Sequence, residues 1–474
     1  MSFRRRLIPR RMSFSRRNFL QAAGAGFGAI ALAGLCQDTL AGELSASERP
    51  PHFAPRAKNV IWLFMDGGPS HLDLFDPKPE LTRLAGQPLP ASFKRPVTAM
   101  GVTSGTPLLP SPTKFSQYGD CGMWVSDYYP EIARCADDLC LVRSCTAEGQ
   151  THVGAVMQMN TGSLLLGRPS LGAWALYGLG TVNRDLPGYV VFGDDREDPP
   201  GGSSNWATGF MPAAYQGTRL GDGPQPILDI ASALKAALPR QRSELDFLQR
   251  LNRRHAETRV DDRLEARIES YELAFRMQSA APEAVDLTHE SAATKLLYGM
   301  DQPETAANGR NCLLARRLVE RGVRFQQIYM GIGSRWDAHQ DLANNHATLC
   351  RETDRPIAGL IQDLKRRGLL NETLVIWGGE FGRTPMSESG SGRDHNPFGF
   401  SMFFVGGGMK RGYVHGATDD VGLYAIDKPM PLQDVHATIL NVLGIDHEQL
   451  TYSHNGRDER LTGTEGRVVH ELLA

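Results

Sequence analysis

Acids and histidines recur just beyond the apolar runs of this chain. Asp66 follows Asn59-Val60-Ile61-Trp62-Leu63-Phe64-Met65, and Trp336-Asp337-Ala338-His339 follows a run ending at Met330. Glu380 follows Leu374-Val375-Ile376-Trp377-Gly378-Gly379, and Asp394-His395 stands in the loop expected before Met402. Carboxylate oxygens and imidazole nitrogens drawn around one cavity would suit a divalent cation or a pair of them, with Zn, Ca, Mg and Mn not distinguished by the residue types. Each residue also has a plainer reading. Asp66 before Gly67-Gly68 would serve as a turn or helix-cap residue, and Glu380 alone is no more telling. Asp337 and His339 are stronger together, because side chains two apart in extended backbone point the same way. Asp394 and His395 are adjacent, which does not aim both at one point, and a loop hydrogen bond competes with metal ligation. Arg383 and Arg393 flank these acids, and their guanidinium forks match sulfate or phosphate oxygens as anion clamps; pairing with Glu388 or Asp394 is the alternative. His71, five residues past Asp66, is a further candidate for the ion, though a helix-cap or surface role is the simpler reading.

These residues need a scaffold that brings their loops together. The run from Asn59 to Met65 reads as a strand buried on both faces, and similar runs recur at Leu139 to Val142, Tyr189 to Phe192, Val323 to Met330, Thr373 to Trp377 and Met402 to Val405. Ile357, Leu360, Ile361 and Leu364 repeat at helical spacing, and Gly368 is placed to end that helix before the strand near Thr373. The alternation predicts an α/β fold with a largely parallel central sheet between helical layers. Open sheets of that kind bind ligands beyond the carboxyl ends of their strands, where the acids and histidines fall. Residues 227–320 read as a mainly helical insertion, in which Leu264, Ile268, Tyr271 and Phe275 mark an amphipathic helix. The Gly/Pro/Asp-rich interval 193–226 shows neither period and is a candidate lid or substrate-facing loop. The helix carrying Arg316, Arg317 and Arg321 presents a solvated or salt-bridged face.

The N-terminus carries Ser15-Arg16-Arg17-Asn18-Phe19-Leu20 ahead of a Gly/Ala/Leu-rich stretch from Ala22 to Leu35, with a small-residue cleavage site at Thr39-Leu40-Ala41. That order predicts a twin-arginine-type signal peptide over residues 1–41 and export to the periplasm or beyond. The apolar stretch falls short of the roughly 20 residues a membrane-spanning helix needs, so no stable anchor is expected after cleavage. A linker over 42–58 and a single domain over 59–474 follow. With 51 basic and 53 acidic residues the formal net charge is −2, which excludes a nucleic-acid partner bound through a dominant basic field. The seven cysteines lack the paired spacing of a structural zinc site, and no disulfide connectivity can be read from them.

From about Asn59 to Leu473 the chain resembles the exported bacterial sulfatase-like proteins catalogued as a domain of unknown function, within the alkaline phosphatase-like superfamily. The resemblance rests on Met65-Asp66-Gly67-Gly68-Pro69-Ser70-His71, the stretch Leu314 to Val323, Trp336-Asp337-Ala338-His339, Gly379-Glu380-Phe381-Gly382-Arg383-Thr384-Pro385 and Gly392-Arg393-Asp394-His395-Asn396-Pro397. His436-Ala437-Thr438-Ile439-Leu440 and Asn455-Gly456-Arg457-Asp458 match as well. It implies a metal-dependent hydrolase of sulfate or phosphate esters, with a small-molecule or glycan ester as substrate and Asp66, Asp337, His339, Glu380 and His395 as ligands. Phe381 stands where the superfamily usually has a second histidine. No cysteine here has proline two residues on and arginine four on, which disfavours a formylglycine nucleophile. The segment resembling the nucleophile-bearing helix starts near Thr151-His152. Thr151 is then a candidate nucleophile and His152 a ligand, base or nucleophile, against a helix-cap threonine beside a surface histidine, or attack by water on the ion. The competing class is a degenerate metal-binding scaffold that binds a glycan or protein without turnover.

Overall fold

Every residue of β1 (Asn59–Met65) is buried, and its side chains divide between two cores. Ile61, Leu63 and Met65 face one, while Val60, Trp62 and Phe64 face the other. A strand reads as a continuous apolar run when both sheet faces are covered. The computed structural model describes residues 48–474 apart from 102, 104, 194–196, 222–237 and 257–261, so the expected signal segment lies outside the described residues.

After β1 come β2 (Leu139–Thr146), β3 (Tyr189–Phe192), β4 (Thr218–Leu220), β5 (Phe325–Met330) and β6 (Thr373–Gly378). Strands β7 (Gly382–Glu388) and β8 (Gly392–Asn396) pair with each other as a separate hairpin. The chain then returns through β9 (Phe400–Gly406), β10 (Tyr413–His415) and β11 (Met430–Pro431). The nine-stranded sheet has the order β10-β2-β9-β6-β1-β5-β3-β4, with β11 beside β2. All its pairings are parallel except those of β9, which runs against both β2 and β6. The α/β class with a largely parallel sheet is therefore as the sequence predicts.

Helices α1 (His152–Thr161), α2 (Leu171–Leu179), α4 (Asp262–Val285), α5 (Pro303–Glu320), α6 (Leu342–Arg366) and α7 (Leu432–Val442) cover the sheet, and α3 (Leu238–Ala256) packs on α4. Residues of α4, α5 and α6 fill one core, and residues of α1, α2 and α7 fill the other. Within the interval read as an insertion, α5 thus belongs to a core layer through Cys312, Leu313, Leu314 and Leu318. On α4 Met277, Ala281 and Ala284 are buried in the core, while of the stripe read from sequence Ile268 and Phe275 are half-buried and Tyr271 is exposed.

Two local expectations are corrected. The interval 193–226, read as a candidate lid or substrate-facing loop, is in its described residues partly built into the fold: β4 adds to the sheet edge, and Trp206, Met211 and Tyr215 are buried in the core. Asp394 and His395 lie in strand β8 rather than in a loop, with an irregular register between Arg393 and His395. The six cysteines described are all free. Among the described residues no helix is long and apolar enough to cross a membrane.

Candidate functional site

Strand β1 delivers Asp66 to the carboxyl edge of the sheet, fully buried. Its Oδ2 accepts the Ser334 N–H at 3.0 Å and its carbonyl accepts the Trp336 N–H at 3.0 Å, while Oδ1 has no hydrogen-bond partner. The next residue must be glycine: at φ +115°, a Cβ on Gly67 would stand 2.6 Å from the Asp337 nitrogen. That close approach seats the loop after β5 directly over the end of β1. The Gly67 N–H in turn donates to both oxygens of Glu380, at 3.1 and 3.2 Å, just past β6. Burial first, and the Glu380 charge second, raise the Asp66 pKa far above the usual carboxylate range. Two buried carboxylates this close call for a positive counter-charge.

Asp337 is the hub of the neighbouring cluster. Its Oδ1 lies 2.8 Å from His339 Nε2, 3.2 Å from His395 Nε2 and 2.6 Å from Arg383 Nη2, and its Oδ2 lies 3.1 Å from His152 Nε2. Burial opposes its charge, but the three histidines and Arg383 outweigh it and hold the carboxyl well below its ordinary range. His152, the first residue of α1, also brings Nδ1 to 2.7 Å from Glu380 Oε1 and so joins the two carboxylate groups. Burial works against its charged form, yet hydrogen bonds to Asp337 and Glu380 push its pKa up to about 9. Among the described residues, one ligand-type atom each from His152, Asp337, His339 and His395 lie within 4.8 Å of one another, which makes a metal-binding cluster geometrically available.

The histidine tautomers follow from their outer contacts. His395 Nδ1–H donates to the Gln150 carbonyl at 2.7 Å, leaving Nε2 toward Asp337. His339 Nδ1 lies 2.5 Å from Glu388 Oε2, so its Nε2 also faces inward. The Asp337 contact comes first in raising the His339 pKa, whereas burial lowers that of His395. Glu388, the Gln150 carbonyl and the Ser334 N–H were not legible as site groups. The Ser389-Gly390-Ser391 turn between β7 and β8 was the available signal for a hairpin that brings Glu388 alongside His339.

The remaining candidates divide clearly. Thr151 is the N-cap of α1, exposed, with its side chain making no cap hydrogen bond. Asp394 accepts from the neighbouring His395 N–H at 2.6 Å and from the Met100 N–H at 3.1 Å, and clusters with Glu388 and His339 rather than with Asp337. Arg383 is buried and donates to the Gly68 and Gly67 carbonyls, the Arg393 carbonyl and Asp337. Arg393, also buried, grips Asp73 at 2.9 and 3.2 Å and donates to the carbonyls of Thr384, Pro385 and Leu109. With a guanidinium's five N–H groups so engaged, Arg393 holds the chain together rather than clamping an anion; its partner is Asp73, not Glu388 or Asp394. His71 is buried with Nε2 donating to the Gly422 carbonyl at 2.8 Å, away from the cluster. Phe381 stacks on His395 with ring centroids 4.4 Å apart and lies 5.2 Å from His152.

Solved structures similar in arrangement include a sulfatase, PsFucS1 from Pseudoalteromonas sp., at 13% identity and TM-score 0.34, over 83% of this chain and 69% of that one. A phosphonate monoester hydrolase from Silicibacter pomeroyi matches at 11% identity and TM-score 0.35, over 73% of this chain and 71% of that one. Alkaline phosphatase from the Antarctic bacterium TAB5 matches at 10% identity and TM-score 0.31, over 74% and 92%. These likenesses are distant. A comparison with curated proteins gives no match. The family model described as "Protein of unknown function (DUF1501)" matches residues 57–473, nearly the whole of the chain outside its N-terminal segment, and the protein belongs to that family.

Proposed function

We propose that this protein is an exported, metal-dependent hydrolase of sulfate or phosphate esters, acting on a small-molecule or glycan ester. The observation that carries the reading is the convergence of His152, Asp337, His339 and His395 within one 4.8 Å cluster, beside a buried Asp66 oxygen that lacks a partner. These donors fit a divalent cation of the Zn, Mn, Mg or Ca kind: mixed nitrogen and oxygen atoms, imidazole Nε2 atoms of His152, His339 and His395 turned toward Asp337, and excess buried negative charge. Asp337, His339 and His395 would hold one ion, and Asp66, Glu380 and His152 form a second pole for another.

A bound ion would hold and polarise a tetrahedral ester as a Lewis acid. The chain's own contributions are distinct from that. Asp337 gathers three imidazoles and keeps them oriented. His152 stands between Glu380 and Asp337 and can hold a proton at either ring nitrogen. Thr151 exposes a hydroxyl at the start of α1, beside His152, and is the candidate nucleophile.

The first experiment is the metal content of the purified protein and its hydrolysis of aryl sulfate and aryl phosphate esters, with and without chelator. Bound divalent metal with chelator-sensitive release of sulfate or phosphate is expected. Metal-free protein that stays inactive across added cations would sink the hydrolase. Export by the twin-arginine route is tested by R16K/R17K, which should leave the folded protein in the cytoplasm. A second reading, a binding scaffold without turnover, draws on Phe381, whose ring covers one side of His395; metal binding without hydrolysis of either ester would favour it.

A further inference from the structure

Glu388 closes β7 and His339 belongs to the loop after β5, so no local sequence relation joins them. The β7–β8 hairpin brings them together. Its turn is fastened to the His339 loop by the Arg393 N–H on the Ala338 carbonyl at 3.0 Å, the Leu342 N–H on the Ser391 carbonyl at 3.0 Å and the Asp341 N–H on Ser391 Oγ at 3.1 Å. Gly392 lies so close that a Cβ there would stand 2.0 Å from the His339 carbonyl carbon. Clamped in this way, the two side chains meet at 2.5 Å, Nδ1 to Oε2.

We infer that Glu388 is a positioning residue for His339, accepting its Nδ1–H so that Nε2 is held toward Asp337 as the metal-binding atom. A carboxylate in this place fixes both the tautomer and the ring plane, and it makes the opposite nitrogen a stronger donor. His395 receives the same service from a neutral group, the Gln150 carbonyl. Of the two histidines, His339 is thus the one oriented by a charged side chain that substitution can remove. The inference rests on the reading that the cluster holds a divalent cation. Asp394, which clusters with Glu388 and His339, raises the rival that Glu388 ligates an ion of its own.

The test is a titration of the purified protein with Zn²⁺ alone against a chromophoric chelator, comparing wild type with E388Q, E388A and D337N, each checked for a wild-type thermal transition without metal. Glu388→Ala should weaken Zn²⁺ affinity about 10–100-fold at unchanged stoichiometry. Glu388→Gln, whose amide carbonyl still accepts from Nδ1–H, should recover most of that loss. The inference is overturned if E388A binds as tightly as wild type, if it loses a whole equivalent of Zn²⁺ with the remaining affinity intact, or if E388Q is as weak as E388A. Should E388A fail to fold, the E388Q comparison decides alone: loss of more than about tenfold there overturns the role assigned to a simple acceptor. Wild type that binds no Zn²⁺ would instead remove the metal reading beneath it, as would a D337N variant that binds normally.

Discussion

Arg393 and Asp73 are both fully buried and joined at 2.9 Å, with Asp73 also accepting from the Ser70 hydroxyl. The guanidinium, next to the carboxylate, offsets the burial that would otherwise raise the Asp73 pKa, and holds it low. Removing one partner of such a pair leaves the other charge buried, which costs about 3–5 kcal/mol. Arg393→Ala should therefore lower the urea midpoint sharply whether or not metal is present. An unchanged midpoint with a weakened ester KM would instead restore the anion clamp that the residue type suggested. Guanidinium chemistry was readable from the chain; its partner was not, because Asp73 is remote in sequence and meets Arg393 only through folding. Asp337 and His339, two apart in sequence, do turn toward each other, at 2.8 Å.

The hairpin of β7 and β8 and the N-terminal half of α6 determine how rigidly the residues are held. Gly392 approaches the backbone at His339, so Gly392→Ala must displace the hairpin or the loop. Overpacking of this kind costs about 1–3 kcal/mol, and metal affinity should fall with it; a fully stable variant with wild-type affinity would show that the clamp is soft. On α6, His346 is buried, and its Nε2 accepts the Ser70 N–H at 2.9 Å. Burial, aided by the charges of Arg383 and Arg393 and opposed by that of Asp73, pushes its pKa down to about 3. Between that value and the unfolded pKa near 6.5 the unfolded chain binds the proton more readily, so stability is full above this window and is lost as pH falls through it. The loss attributable to His346 should reach about 2 kcal/mol by pH 5. Denaturation of wild type and His346→Gln at pH 7.5 and pH 5 isolates the term; parallel losses in both proteins would exclude it. The hairpin escaped the sequence reading because its strands pair with each other and, through Met386, with Leu108, outside the sheet whose apolar runs were conspicuous.

At the scale of the molecule, any ion held by the folded cluster and not by the unfolded chain raises stability by mass action. At free Zn²⁺ about 100 times its Kd, the gain is about 2.7 kcal/mol. Thermal melts with Zn²⁺ and with chelator should differ accordingly, and the difference should vanish in Asp337→Asn. Identical melts in wild type would argue that the cluster is held together by its own protons and Arg383. The sheet itself is insensitive to that question: its two cores are apolar and enclose β1 from both faces.

Read alone, the chain settles its α/β class and the places of β1, β2, β3, β5, β6 and β9, because a strand buried on both faces must be continuously apolar, while the edge strands and the β7–β8 hairpin carry no such run. It also places the acids and histidines beyond those strands. Which of them share one space is decided by strand order, since β1, β5 and β6 are distant in sequence yet adjacent in the sheet. Tertiary structure likewise turned Arg393 inward to Asp73 and set Glu388 on His339. Charge pairs and tautomers depend on distances of a few ångströms between remote segments, and no local periodicity records them.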